Sequence, residues 1–152
     1  MNLKIREQQV GFSLVEAMVS LVVLSVGMIG IAALYGQGLS AGRTALYRTQ
    51  AVNLVADMAD RIRANRLAGL SYNNVPANNN CEPAGVNCAP ALMASHDLFV
   101  WNGQIANLLP GAVGTVQVQN GTPPIYTIRI DWQETGLAGL QTHQIQIQVP
   151  PI

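Results

Sequence analysis

Hydrophobic residues are concentrated in one long run near the N-terminus, directly after a short polar segment. The first eleven residues (MNLKIREQQVG) are mostly polar, and between Phe12 and Gly42 the only charged side chain is that of Glu16. The 26 residues from Ala17 to Gly42 carry no charge. As a helix this run would extend about 39 Å at ~1.5 Å per residue, enough to cross a hydrocarbon core of ~30 Å. The pattern therefore predicts a membrane-spanning helix.

Helical periodicity continues beyond this run. Apolar residues recur at steps of three and four and form one stripe: Ala51, Val52, Val55, Met58, Ala59 and Ile62. Asp57 and Arg61, which are four residues apart, lie on the other side of the helix. These positions predict one continuous helix from near Phe12 to near Arg66, whose second half packs on a core through the stripe.

A segment rich in Asn, Gly and Pro, residues 68–90, predicts a loop and contains both cysteines, Cys81 and Cys88. The polar N-terminal segment contains basic residues, and if it stays in the cytoplasm this part of the chain lies in the periplasm. In that compartment we expect Cys81 and Cys88 to form a disulfide. The alternative is a redox or metal site. Reactive dithiols usually have two intervening residues, whereas six separate these cysteines, so the disulfide is favoured.

The C-terminal half predicts one helix followed by three strands. Residues 91–109 have helical spacing, with Leu98, Trp101, Ile105 and Leu108 on one stripe, and Pro110-Gly111 ends the helix. Apolar side chains then alternate with polar ones in three segments: Val116 and Val118; Tyr126, Ile128, Ile130 and Trp132; Ile145, Ile147 and Val149. Such alternation indicates an antiparallel sheet with one covered face. The predicted fold class is α+β, a long N-terminal α-helix packed on a small antiparallel β-sheet of three or four strands.

Composition and charge exclude two broad classes. The chain has 8 basic and 8 acidic side chains, and only 11% of its residues are charged. Nucleic-acid binding as the main activity is not expected, because neutralising phosphates requires a basic surface. Disorder of the whole chain is not expected either, because 49% of the residues are hydrophobic.

No constellation of residues indicates catalysis, a cofactor or a metal centre. The two cysteines and two histidines match no zinc-ligand spacing. Ser95, His96 and Asp97 are contiguous, so they cannot form a relay on a regular helix, and we interpret them as a polar helix start. Asp131 and Glu134, near a strand end, are interpreted as solvent-facing carboxylates. We therefore expect no enzyme activity.

Three interpretations compete for the N-terminus, and Glu16 distinguishes them. A cleaved secretory signal would have a shorter apolar region. A plain membrane anchor leaves the Glu16 carboxylate unexplained, since burying it in lipid without a partner costs at least ~2.5 kcal/mol. The segment Gly11-Phe12-Ser13-Leu14-Val15-Glu16, between a basic leader and an apolar run, resembles the processing site of type IV pilins and of type II secretion pseudopilins.

The resemblance implies how the chain is processed. A prepilin peptidase would cut after Gly11 on the cytoplasmic side of the membrane, and the new N-terminal residue, Phe12, would be N-methylated. Glu16 would then support methylation and the docking of subunits during assembly. The resemblance also implies four segments: a cleaved leader (1–11), the membrane-spanning and filament-core half of the helix (12–42), its amphipathic half (43–66) and a periplasmic head (67–152).

The second half of the chain is similar to minor pilins of the PilV type. This likeness rests on the cysteine-bounded loop, the stretches Asp97–Trp101 and Leu109–Gly111, and the strand Ile130–Glu134. It implies a minor pilin that helps to initiate assembly of a type IV pilus, in a priming complex at the tip. The chain would lie in the bacterial inner membrane before assembly and in the pilus at the cell surface afterwards.

The implied partners are other minor pilins, the major pilin, the prepilin peptidase, the inner-membrane assembly platform, a large tip adhesin and the inner membrane itself, with no nucleic acid. Two alternatives remain open. One is a minor pseudopilin of a type II secretion system, which shares the processing site. The other belongs to a different class, a signal-anchored periplasmic binding module, in which the leader stays uncut and Glu16 has no role.

Overall fold

The computed structural model describes residues 11–83 and 86–150. The elements are α1 (Leu14–Ala64), a 3-10 helix (Arg66–Asn73), α2 (Pro90–Leu108), β1 (Val113–Gln119), β2 (Ile125–Gln133) and β3 (Leu140–Gln148). Contacts divide the chain into an N-terminal unit, Met1–Gly42, and a globular unit, Arg43–Ile152.

The described part of the N-terminal unit consists of a short non-helical segment and the first part of α1. The carbonyl of Ser13 accepts the backbone N–H groups of Glu16 at 3.0 Å and of Ala17 at 3.2 Å, which closes the first turn. Every described side chain from Gly11 to Gly42 is exposed. A helix that is apolar on all sides has no face suited to water, so its surroundings must be lipid or protein.

The second part of α1 buries one stripe in the core of the globular unit: Ala51, Leu54, Val55, Met58, Ala59 and Ile62. Val52, which the spacing assigns to this stripe, is 48% exposed, and Leu54 takes its place at 6%. Both positions fit helical spacing. Contact with α2 favours burial of Leu54. The indole N–H of Trp101 in α2 donates to the Leu54 carbonyl oxygen at 2.8 Å, so α2 lies beside Leu54.

The predicted loop begins with a 3-10 helix that the sequence pattern did not reveal. Gly69 interrupts it with a kink, at a φ of 50° and a ψ of −121°, a non-helical conformation that glycine adopts without a steric penalty from a Cβ atom. The side chain of Tyr72, near its end, is buried. So short an element has no apolar periodicity to detect.

The predicted second helix is confirmed as α2. Pro90 occupies its first turn, where a missing N–H costs nothing. Leu98, Trp101 and Ile105 are buried as predicted, whereas Leu108 is half exposed and Leu109 is buried instead. The difference arises because the helix ends at Leu108 and Leu109 already has an extended backbone.

The three predicted strands form one antiparallel sheet in the order β1-β2-β3. The register pairs Val116 with Ile128 and Ile128 with Ile145, so the apolar positions of all three strands share one face. That face, the α1 stripe and α2 enclose the core. The α+β fold class is therefore confirmed.

Gly114 marks the closest approach of α2 to the sheet. A Cβ atom at this position would overlap the Trp101 ring and the Ile105 side chain. Glycine at this point lets Trp101 fill the centre of the core, where it has no exposed surface.

Candidate functional site

The segment that resembles a processing site lies open at the start of the described chain. Gly11, Phe12 and Ser13 precede α1 and are not helical. The Phe12 side chain is 87% exposed, and within the described residues no atom beyond the immediate neighbours lies within 4 Å of where a Cβ on Gly11 would be. The peptide bond between these two residues is therefore sterically accessible.

Glu16 lies in the first turn of α1 and is exposed. Backbone N–H groups at a helix N-terminus favour a negative charge there. Within the described residues Glu16 forms no ion pair. Its carboxylate is thus held at a defined place on the helix and remains available to a cation from outside the described chain.

The exposed apolar surface continues along α1. In the described residues, α1 is the one helix that is long and apolar enough to cross a membrane, judged by length and composition. The apolar stretch that meets this test is wholly unburied and lies near the N-terminus.

A disulfide joins Cys81 to Cys88, with their Cα atoms 5.8 Å apart. The preceding loop is tied to α2 by two hydrogen bonds, from Ala77 N–H to the Ser95 carbonyl at 3.0 Å and from the Asn79 side-chain amide to the Leu92 carbonyl at 2.9 Å. The loop is therefore attached to α2 by one backbone and one side-chain hydrogen bond, and the disulfide closes the segment between Cys81 and Cys88.

The structure changes the interpretation of Ser95, His96 and Asp97. The polar helix start predicted from the sequence is wrong, because all three residues are buried within α2, at 9%, 5% and 7% exposure. Neither ring nitrogen of His96 has a hydrogen-bond partner among the described residues. Asp97 is buried where α2 meets Arg61 of α1 and Tyr72 of the 3-10 helix, a contact that helical periodicity within α2 does not reveal.

Asp97 is the centre of a polar network between three elements. Its Oδ2 accepts the Tyr72 hydroxyl at 2.9 Å, and its Oδ1 accepts an N–H of Arg61 at 3.2 Å. Arg61 also pairs with Asp57, four residues earlier in α1, at 2.8 Å. Asp97 thereby links α1 and the 3-10 helix to α2.

The network shifts the pKa values of its members. Partial burial by itself lowers the pKa of Arg61, but Asp57 and Asp97 outweigh that effect, so the pKa is raised. The pKa of Tyr72 is also raised, first by burial and then by the negative charge of Asp97. Arg61 therefore stays charged and Tyr72 stays neutral.

The interpretation of Glu134 as a solvent-facing carboxylate is wrong. Glu134 is 4% exposed, and its two oxygens accept the Thr44 hydroxyl at 2.7 Å and the Trp132 indole N–H at 2.9 Å. It thus connects the end of β2 to α1. Asp131 is only partly exposed and pairs with Arg129 at 2.7 Å.

No group of His, Cys, Asp and Glu side chains suited to hold a metal ion occurs within residues 11–83 and 86–150. The polar clusters of the globular unit are bonded internally and connect its elements. These clusters stabilise the fold, and the longest exposed apolar stretch in the described residues lies in the N-terminal unit.

Two family models match the chain. The prokaryotic N-terminal methylation motif matches residues 9–32, and the Tt1218-like family, described as type IV pilin Tt1218, matches residues 33–99. The matches adjoin, so together they cover residues 9–99 without a gap. No curated protein and no solved structure matches the chain.

Proposed function

We propose that this chain is a minor pilin. Both family matches support a type IV pilin, and hence a structural component of a pilus or pseudopilus. It is incorporated into a type IV pilus and helps to initiate its assembly. The observation that carries the proposal is the coincidence of the methylation motif with the start of an unburied apolar helix. A plain anchor needs the helix but not the motif.

Processing is proposed to occur between Gly11 and Phe12. A peptidase requires an extended, accessible bond, and this bond precedes α1 in an exposed segment. Hydrolysis releases the polar leader, keeps the apolar helix and creates a positively charged amine on Phe12, which is then N-methylated. The mature chain stays in the membrane through the segment 12–42.

Glu16 is proposed to receive the Phe12 amine of a neighbouring subunit. A carboxylate in an apolar filament core is tolerated when a cation pairs with it. Glu16 has no ion pair with any described residue and lies one turn from Phe12, so a neighbour shifted along the helix axis brings the two charges together.

The disulfide supports a periplasmic location for the globular unit. Disulfides persist in oxidising compartments, and the polar leader with its basic residues suits the cytoplasmic side of the inner membrane. In this proposal residues 43–66 form the amphipathic half of the helix and residues 67–152 the periplasmic head. After assembly the head lies on the pilus surface.

The minor-pilin role and the partners follow from the resemblance to PilV-type proteins. The proposed neighbours are other minor pilins, the major pilin and a large tip adhesin, with the prepilin peptidase and the assembly platform acting in the inner membrane. A priming complex needs subunits that dock through their helices, and the exposed run from Leu14 to Gly42 suits that role.

The first experiment is intact-mass measurement of the membrane-extracted chain from cells with and without active prepilin peptidase. We expect a chain that begins at N-methylated Phe12 only when the peptidase is active. An intact leader, or cleavage after the apolar run, would contradict the pilin role and favour an anchored or secreted module. Loss of surface pili in a deletion strain supports the pilus role, whereas loss of protein secretion with normal pili assigns the chain to a pseudopilus.

Glu16→Gln tests the assembly role separately from processing. We expect the leader to be removed as usual, while methylation and surface piliation fall. The matched control is Glu82→Gln, because Glu82 is also exposed but lies in the globular unit. Normal piliation in the Glu16 variant would contradict the pairing with Phe12.

A further inference from the structure

The two edges of the sheet differ in how their backbone groups are satisfied. At the β1 edge, the side-chain amide of Asn73 accepts the N–H of Val118 at 2.7 Å and donates to its carbonyl at 3.1 Å. The Asn102 Oδ1 accepts the N–H of Gly114 at 3.1 Å. These two side chains occupy the places that an added strand would need, so the β1 edge is closed.

The β3 edge is open. The N–H of Gly114 points away from β2, so Gly114 and its partner Ile130 are a pair without hydrogen bonds to each other. The N–H and C=O of Ile130 therefore point to the other side, toward its β3 partner His143. Backbone groups alternate along a strand, and the next set therefore faces away from the sheet: Thr142, Gln144, Gln146 and Gln148. Among the described residues no backbone group pairs with these outward N–H and C=O groups.

β3 also lacks the features that protect edge strands. Proteins usually place proline, lysine or other charged residues on an exposed edge to prevent pairing with another chain. The strand Leu140–Gln148 (LQTHQIQIQ) contains no proline, lysine, arginine or acidic residue. The side chains on the outer face of β3 are mainly glutamines, which repel neither an anionic nor a cationic partner.

The inner face is incompletely covered at the same edge. Ile145 and Ile147 of β3 are only half-buried, whereas Ile128 and Ile130 of β2 have no exposed surface. Beside the start of β3 there is a groove of about 340 Å³, lined by Arg48, Val52, Trp132, Gln141, Thr142 and His143. Arg48 forms no ion pair with any described residue. Within the described residues, no carboxylate therefore lies within ion-pairing distance of the Arg48 guanidinium in this groove.

We propose that the β3 edge binds an extended segment of another polypeptide as a fourth strand. The segment has alternating side chains, apolar on the face toward α1, with a carboxylate where it passes Arg48. A second copy of this chain fits less well, because its own β3 carries no acidic residue to pair with Arg48. The proposal concerns the globular unit and applies equally to a pilus or a pseudopilus subunit.

The test uses the full chain in detergent and a short synthetic peptide in which valine and threonine alternate. In one version a glutamate replaces the first valine, and in another it replaces the last. One of the two then lies near Arg48 whether the peptide pairs parallel or antiparallel to β3. The control peptide has the same side chains but carries N-methyl groups on its pairing backbone nitrogens. Two variants of the chain form a matched pair. Gln144→Pro removes one outward N–H and no hydrogen bond within the sheet, whereas Gln144→Ala keeps that N–H.

We expect the acidic peptide to slow amide hydrogen exchange at Thr142, Gln144 and Gln146, and the N-methylated peptide to have no effect. Binding to Gln144→Pro should be about tenfold weaker than to Gln144→Ala, because a hydrogen bond is lost and the proline ring obstructs pairing. Arg48→Glu should weaken binding of the acidic peptide by about threefold and favour a lysine-containing version.

Absence of protection by the acidic peptide, or equal binding of the N-methylated peptide, would overturn strand addition. Protection that needs no peptide and increases with protein concentration would overturn the proposed partner and assign the edge to a second copy. If Gln144→Pro fails to fold, the comparison of the two peptides on the unsubstituted chain decides the outcome.

Discussion

The two parts of α1 share one continuous backbone but differ completely in their relation to the rest of the chain. Up to Gly42 no described side chain is buried, although nearly all are apolar or small. Beyond Arg43 one stripe is buried, and the charged side chains lie outside that stripe. The first part therefore depends on lipid or other subunits for cover, while the second part belongs to the cooperative core.

This difference can be measured because both tryptophans, Trp101 and Trp132, lie in the core of the globular unit, at 0% and 2% exposure. Tryptophan fluorescence during urea denaturation in detergent therefore follows the globular unit and is insensitive to the N-terminal unit. The following substitutions use this signal to test the contrast between the two units.

The largest effect is expected from Ile62→Ala, compared with Ile29→Ala in the same helix. Ile62 has no exposed surface, so truncation leaves a cavity and should lower the free energy of unfolding by about 2–5 kcal/mol. Ile29 is 70% exposed, and its truncation should leave the fluorescence transition unchanged. A shift for Ile29→Ala comparable to that for Ile62→Ala would show that the N-terminal unit contributes to the stability of the core.

Tyr72→Phe is expected to have the next largest effect, because it removes the hydroxyl that donates to the buried Asp97. Near neutral pH the free energy of unfolding should fall by about 1–3 kcal/mol.

The pH dependence of this variant provides a second measurement. Burial raises the pKa of Tyr72 above its ordinary value of 10.0. The unfolded chain therefore loses the proton first as the pH rises, and the stability contributed by neutral Tyr72 is present below pH 10 and declines above it. Urea denaturation at increasing pH should show a smaller alkaline loss for Tyr72→Phe than for the unsubstituted chain. An identical loss in both would contradict the assignment to Tyr72.

Thr44→Val examines the start of the globular unit on α1. The substitution keeps the shape of the side chain but removes the hydroxyl that donates to the buried Glu134. We expect a loss of about 1 kcal/mol in the free energy of unfolding. The matched control is Thr49→Val, since the exposed Thr49 hydroxyl donates only to the carbonyl of Ala45 in its own helix. An equal loss of unfolding free energy in the two variants would show that the hydrogen bond from Thr44 to Glu134 contributes no more than the bond within the helix.

The smallest effect is expected from Arg129→Gln on the outer face of the sheet. The hydrogen bond from Arg129 lowers the pKa of Asp131 below its ordinary value of 3.8. This contribution to stability is present above that value and is lost as the pH falls below it, because the unfolded chain takes up the proton first. Acid unfolding should therefore begin at a slightly higher pH in the variant. No change would mean that the exposed pair contributes nothing measurable.

Burial of polar residues was the main feature that sequence reasoning missed. The sequence places Asp97 in a polar helix start and Glu134 in solvent, because charged residues are usually exposed and nothing in the local pattern marks these two as buried. Their partners Tyr72 and Thr44 are distant in the chain and become neighbours only when the elements pack. The exchange of Val52 for Leu54 in the stripe has a similar cause, since periodicity identifies a helical face only to within one residue on either side.

The amino-acid sequence by itself determined the elements and their faces, because they follow from local spacing. An uncharged run makes the first part of α1 a candidate membrane helix, and alternation places Ile128 and Ile130 on the inner face. Gly11, Phe12 and Glu16 lie within the stretch that matches the N-terminal methylation motif. Only the tertiary structure decided which polar groups are buried and which sheet edge is open. Those outcomes depend on distant residues, such as Asn73 beside Val118, whose meeting is a property of packing and is not encoded in any short segment.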